Sequence, residues 1–212
     1  MPVLVALVLA FGLTGCQSAY YGAMEKFGYE KRDLLAARVK DTRKAQEKAQ
    51  SQFADASEEF AALMNLDGSK LERQYKKVKS SYEEAKDRAD DVIERRKEME
   101  QVGNAMFTEW EKEIDLYDSS TLKQQSARKL RTTQTKFRQL VGTMKQVEYQ
   151  MEPILKPFRD RVLFLKHNLN ARSLSAMERE QLSIKRDVDD LISDMQAAIE
   201  EANAFIASMK ED

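Results

Sequence analysis

Side chains that commonly carry chemistry are scarce in this chain of 212 residues, which has one Cys, Cys16, and one His, His167. Structural zinc sites draw about four ligands, mostly Cys and His, so one Cys with one His leaves no plausible zinc site. Glu-x-x-His, with which helical bundles hold paired metal ions, does not occur. Gly68-Ser69-Lys70 lacks the first glycine and the strand context of a phosphate loop. His167, in Leu165-Lys-His-Asn-Leu169, has no Ser or Cys nucleophile motif in its company, which favours a solvated or capping role. Carboxylates are plentiful but follow helical faces, so no acid and base pair stands out. These features point away from an enzyme, and the sequence implies no metal and no cofactor.

Cys16 takes its meaning from its surroundings. Residues 2–13 are a continuous apolar run, too short to span a bilayer as a helix but of the length of a signal-peptide core. The run ends in Leu13-Thr14-Gly15-Cys16, which resembles the lipobox of bacterial lipoproteins. That resemblance implies cleavage before Cys16 and a diacylglycerol on its thiol. No Lys or Arg precedes the run, a departure from the usual basic start of such signals. Gln17 stands where an Asp commonly retains a lipoprotein in the inner membrane, so the resemblance implies the outer membrane, periplasmic face. The expected divisions are 1–15 signal peptide, 16–28 lipid-anchored tether and 29–212 helical bundle domain.

The elements that must position anything else are helices. Only 7 Gly and 3 Pro occur, and 33% of residues are charged. From Leu71 to Tyr117 an alternation of four and three passes through Leu71, Tyr75, Val78, Tyr82, Ala85, Ala89, Val92, Arg96, Met99, Gly103, Met106, Trp110, Glu113 and Tyr117. Eleven of these fourteen are apolar, where the 42% overall composition would supply about six, so one face of a helix carries a seam that needs partners. A first seam runs from Leu35 through Thr42, Gln46, Phe53 and Phe60 to Leu63. A third runs from Leu130 through Phe137, Glu148 and Phe158 to Leu169, and a fourth from Leu174 to Met209. Pro153 and Pro157 fall inside the third, but the heptad stays in phase across them, which predicts one kinked helix. Gly68 is a natural terminator, and Ser69–Glu72, Thr121–Gln124 and Ser175–Glu178 read as capping boxes.

Four helices of roughly 38, 48, 49 and 36 residues joined by short turns predict an all-α fold, an elongated antiparallel four-helix bundle with up-down-up-down topology. The turn at Gly68 should set Phe53 level with Tyr82 and Phe60 with Tyr75; that at Ser119 should set Val92 level with Gln146. The second-to-third hairpin should project ~15 Å beyond the shorter outer helices. Flanking residues, among them Phe107, Ile114, Leu140, Val147, Leu182 and Ile199, widen the seams enough to need more than one neighbour. The narrower seams of the first helix and the start of the second predict a looser end. Two separate hairpins, or an intermolecular coiled coil, remain as alternatives. Oligomers are compatible with either.

Lys plus Arg (35) and Asp plus Glu (36) cancel, so no global field invites nucleic acid. One stretch departs from balance: from Ser119 to Val147 there are seven basic residues and no acidic one. Lys129, Arg131, Lys136 and Arg138 form its candidate basic face for an anionic partner. Acidic runs in the second and fourth helices favour neutralisation within the bundle instead. Residues at the far turns, Asp67, Gly68, His167, Asn168, Asn170 and Arg172, are candidate partner-binding tips, since exposed turns on rigid supports often bind.

The run Tyr20-Tyr21-Gly-Ala-Met-Glu-Lys-Phe-Gly-Tyr-Glu-Lys-Arg-Asp-Leu-Leu35, with Phe164-Leu-Lys-His-Asn-Leu-Asn-Ala171, resembles an uncharacterised bacterial family catalogued as domain of unknown function 2959. That family brings no established activity or site residues. The reading that follows is a lipid-anchored periplasmic coiled-coil or helical-bundle protein, structural or adaptor in role, bound to the membrane by its anchor and to a protein partner in the envelope. Alternatives are a bundle binding a small apolar ligand or lipid in its Met-rich core, and a cytosolic coiled-coil protein linked to chromosome or DNA-repair machinery.

Overall fold

The heptad seams become four long helices in the computed structural model, which describes residues 31–64 and 70–210, except for the side chains of 171–173, 175, 176, 178–181 and 210. They are α1 Lys31–Met64, α2 Leu71–Ile114, α3 Ser120–His167 and α4 Ala171–Lys210. Every residue of the first seam is buried, including Thr42 and Gln46. Among the flanking positions Phe107, Ile114, Leu140, Val147 and Ile199 are buried too, but Leu182 is 70% exposed. Ile184 and Val188 are the side chains of α4 that enter the core nearby.

Helix ends differ from the capping boxes expected. α3 is capped two residues before Thr121: Ser119 is extended (φ −77°, ψ 114°), and its hydroxyl accepts from Leu122 N at 3.4 Å. α4 starts at Ala171, with the Asn170 carbonyl accepting from Leu174 N at 3.2 Å, so Ser175 lies inside the helix rather than capping it. α2 starts at Leu71 with Lys70 at the cap position and no side-chain cap; Ser69 lies outside the described residues. Helix α3 continues through Pro153 and Pro157 as one element. Each proline lacks the N–H that would serve the carbonyl four residues earlier, those of Tyr149 and Pro153. Tyr149 and Pro153 are both exposed, on the side where water can take the missing donor's place.

The helices close a ring: α1 and α3 each pack against both α2 and α4. Gln50 Nε2 donates to the Ile192 carbonyl at 2.9 Å and Arg43 Nη1 to Asn203 Oδ1 at 2.8 Å, tying α1 to α4. The bundle is therefore closed, not opened into two hairpins. Nor is the α1 side loose, because its seam uses small residues that permit close approach. Ala45, Ala49 and Ala56 of α1 are buried, as are Ala85 and Ala89 of α2 and Ala198 and Ala202 of α4, and α1–α2 is the most extensive contact in the bundle. Large side chains from α3 fill the middle. Phe158 stacks on Phe60 across the diagonal, with ring centroids 4.7 Å apart and planes at 10°.

Registers follow two patterns. Between α1 and α2, Gln52 Nε2 reaches the Ser81 carbonyl at 3.4 Å and Gln74 Nε2 the Glu59 carbonyl at 3.1 Å. That sets Phe53 level with Tyr82 and Phe60 with Tyr75, as the turn at Gly68 predicts. Between α2 and α3, Arg96 meets Glu148 and Glu100 meets Lys145, so Val92 lies about six residues, nearly two turns, further along α3 than Gln146. The α2–α3 hairpin projects as expected. Lys31 at the start of α1 pairs with Glu109, and none of the first ten residues of α3 is buried, a stretch of ~15 Å at ~1.5 Å per residue.

Near the base of that projection Phe107, Phe137 and Phe205 meet, with centroids 5.4 Å apart for the first pair and 5.7 Å for the second. Gly103 makes room for them: a Cβ there would lie 2.6 Å from Phe137 Cε1. At Gly142 a Cβ would meet nothing within 4 Å. The two glycines therefore predict opposite signs. Gly142→Ala should stabilise by about 0.5–1 kcal/mol through helix propensity. Gly103→Ala should lose about 1–3 kcal/mol through overpacking despite the same gain. Urea melts of both variants measure the difference, and Phe137→Leu should rescue Gly103→Ala.

Candidate functional site

Charged residues within the seams make the most organised polar cluster among the described residues. Arg96 of α2 is 6% exposed, its Nε donating to Glu148 Oε1 at 2.6 Å and its Nη1 to Glu100 Oε2 at 2.5 Å. Lys145 completes the set by donating to Glu100 Oε1 at 2.9 Å. Burial pushes the Glu148 carboxyl above the usual carboxylate range, and Arg96, then Lys145, pull it back in part. Two cations and two carboxylates thus cross-link the middle of α2 to α3. Geometry and charge suit a structural clamp: each charge is answered by an opposite one. Sequence reasoning treated Arg96 and Glu148 as exceptions in two seams. Their opposite signs on adjacent helices were the available signal.

One turn of α1 adds a different polar feature. Thr42 is buried and donates to the Arg38 carbonyl at 2.9 Å, but the buried amide of Gln46 forms no hydrogen bond at either Nε2 or Oε1. An unanswered buried amide costs about 1–3 kcal/mol.

The candidate tips fall at the α3–α4 turn and beyond the described residues. Cys16, Asp67 and Gly68 lie outside them, as does the side chain of Arg172. Asn168 spends its side chain on the turn, Nδ2 donating to the Phe164 carbonyl at 3.0 Å, and Asn170 N donates to the Asn168 carbonyl at 3.0 Å. His167 ends α3 and is exposed, near the exposed Leu163 and Phe164. Among the described residues no group of three or more His, Cys, Asp or Glu is placed to hold a metal ion. No described helix is long and apolar enough to cross a membrane.

Internal pairing of the basic stretch is partial: it reaches Lys123 and Lys145, and Lys129, half-buried, is not free either. Lys123 meets Asp115 at 2.9 Å and Lys145 meets Glu100. Arg138 reaches only the hydroxyl of Thr135, at 3.4 Å, while the side chains of Arg128, Arg131 and Lys136 are exposed and form no ion pair among the described residues. Their place on the projecting part of α3 explains this: they stand level with or beyond the end of α4, whose acidic run lies further along the bundle. Leu116, Tyr117 and Leu122 are exposed at the same end.

A family model described as "Protein of unknown function (DUF2959)" matches residues 20–209, nearly the whole described bundle and part of the segment before it. The chain belongs to this family. In this DUF2959 member the match spans all four helices. No curated protein and no solved structure matches the chain.

The clamp predicts a pattern of stabilities. Glu148→Leu should cost about 3 kcal/mol by leaving Arg96 short of a partner, and Arg96→Leu in the same background should recover most of it. Their pH dependence has a defined sign. Because the folded Glu148 pKa is raised, the cost of its ionised form is present above that pKa and fades as pH falls through it towards the ordinary range. Relative to Glu148→Gln, the unsubstituted protein should therefore gain in melting temperature as pH is lowered through that window.

Proposed function

We propose that this protein is a lipid-anchored periplasmic helical bundle with a structural or adaptor role in the cell envelope. The observation that carries this reading is Leu13-Thr14-Gly15-Cys16 at the end of an apolar run, with fourteen residues between Cys16 and the start of α1. The form of the bundle supports it. Its polar clusters are spent on holding helices together, and its length is that of a spacer: α3 alone, at 48 residues, runs ~72 Å. The start of α1 and the projecting α2–α3 hairpin share one end of the bundle. A tether leading to α1 thus brings Leu116, Tyr117, Leu122 and the exposed Arg128, Arg131, Lys136 and Arg138 of α3 towards the membrane surface, and the opposite turn, with His167 and Asn168, away from it.

Cys16→Ser tests the anchor. Lipid labelling should vanish and the protein should leave the membrane fraction; equal membrane partitioning of both forms, with no lipid on the unsubstituted one, would overturn the reading. A second variant tests the cationic end. Arg131, Lys136 and Arg138, all exposed, changed together to Glu should lower stability by less than ~1 kcal/mol, because exposed charges contribute little. Salt-sensitive binding to vesicles containing anionic lipid should be lost. A large drop in melting temperature would instead assign these cations to the bundle's own stability.

A further inference from the structure

Helix α3 carries a second heptad stripe, in opposite phase to its core seam. Thr132, Thr135, Gln139, Gly142, Gln146, Tyr149 and Pro153 follow the alternation of three and four, and all seven are exposed. In a chain that is 33% charged none of the seven carries a charge, although solvent-facing positions are where charges normally collect. The stripe runs about 31 Å at ~1.5 Å per residue. Gly142 stands at its centre and within two residues of the middle of Ser120–His167, with open space where a Cβ would be.

We propose that this face binds α3 of a second copy of the chain, antiparallel, with Gly142 on the twofold axis. Charges beside the stripe choose the partner and its direction. Antiparallel pairing about Gly142 opposes Thr135 to Tyr149, Gln139 to Gln146 and Thr132 to Pro153, and brings Arg131 of each copy beside Glu152 of the other. Arg131 and Glu152 are both exposed, and neither forms an ion pair within the chain among the described residues. Parallel pairing would set Arg131 against Lys136, like charges at the flanking positions that govern orientation in paired helices. Antiparallel pairing also brings Arg138 near Lys145, but Lys145 is already neutralised by Glu100 at 2.9 Å. A glycine at the axis lets two helix backbones approach closely, and a C2 contact is self-complementary, so each favourable pair occurs twice. The segment preceding α1 is a poorer occupant, since α1 sits diagonally opposite α3. A lipid surface is poorer still, because only Tyr149 and Pro153 are apolar.

Single thiols in the full chain test this, with Cys16→Ser throughout so that the introduced thiol is the only one; the proposal does not depend on the anchor. A disulfide needs Cα atoms within ~7 Å. Gly142→Cys, on the axis, should oxidise to a dimer. Thr132→Cys should not, since its two copies would be ~30 Å apart along the axis. A mixture of Thr135→Cys and Tyr149→Cys should crosslink where neither does alone, which keeps the test open if Gly142→Cys fails to fold. Arg131→Glu should reduce the Gly142→Cys dimer, and Glu152→Arg added to it should restore the yield. Absence of crosslinking at both Gly142 and the Thr135–Tyr149 pair would overturn the interface. Self-crosslinking at Thr132 as well as Gly142 would overturn its antiparallel direction.

Discussion

The close approach of α1 to its two neighbours is the constraint on which the rest of the bundle depends. Alanines at 45, 49 and 56 of α1, with Ala85, Ala89, Ala198 and Ala202 opposite, leave little side-chain volume between the helices. Small residues bring backbones together, and every ångström gained there shortens the reach across the diagonal. Only then can Phe158 of α3 stack on Phe60 of α1. Each fully buried phenylalanine is worth roughly 1.5–3 kcal/mol relative to exposure, and both rings of this stack are fully buried. The core is uneven along α1, where alanines alternate with Phe53 and Phe60, and α3 adds Phe137, Met144, Met151 and Phe158.

This division explains where the sequence misled. Helix α1 has a narrow seam, and narrowness reads as weak burial if each helix is judged alone. Thr42 and Gln46 are fully buried nonetheless, because partners that come close cover even a thin stripe. Seam positions, helix number and order, and the α1–α2 register were legible because periodicity and one short turn suffice to define them. The α2–α3 register was not. Symmetric folding about Ser119 sets Arg96 level with Gly142, six residues short of Glu148. Turn geometry, with Leu116 and Tyr117 exposed and α3 beginning at Ser120, depends on individual dihedrals that no periodic pattern encodes. The clamp was hidden for the same reason, since neither of its seam charges identifies its partner until the register is known.

Buried charge has a further consequence for specificity. A slip of α3 along α2 would take Glu148 away from Arg96, 6% exposed, and leave it only Glu100 of its own helix. Uncompensated buried charge is far more costly than a lost apolar contact, so the clamp penalises neighbouring registers more than it stabilises the right one. Apolar seams of Leu, Met and Val tolerate such slips, because one heptad much resembles the next. Gln46 acts in the same direction within α1: with no partner at either amide atom it lowers stability, yet it too distinguishes one layer from the others.

The same helix that carries the clamp shows how little of a bundle's surface is free to vary. Looking inward, α3 must supply Phe137, Met144, Met151 and Phe158 to the core. Towards α2 it must supply Glu148 and Lys145 at fixed places. Only its outward face is unconstrained by the fold, and there solvation alone would accept any mixture of Lys, Glu, Arg and Asp. α2 shows such a mixture: Lys76, Lys79, Glu83, Lys86 and Asp90 are exposed and paired four residues apart with a neighbour on the same helix. The outward face of α3 from Thr132 to Pro153 has no such pairs, and its prolines even forgo backbone bonds on that side. Folding does not require that difference between the two helices. It has to be explained by something outside the four-helix core, and the spacing of three and four with a glycine at its midpoint is the geometry of a helix meeting another helix.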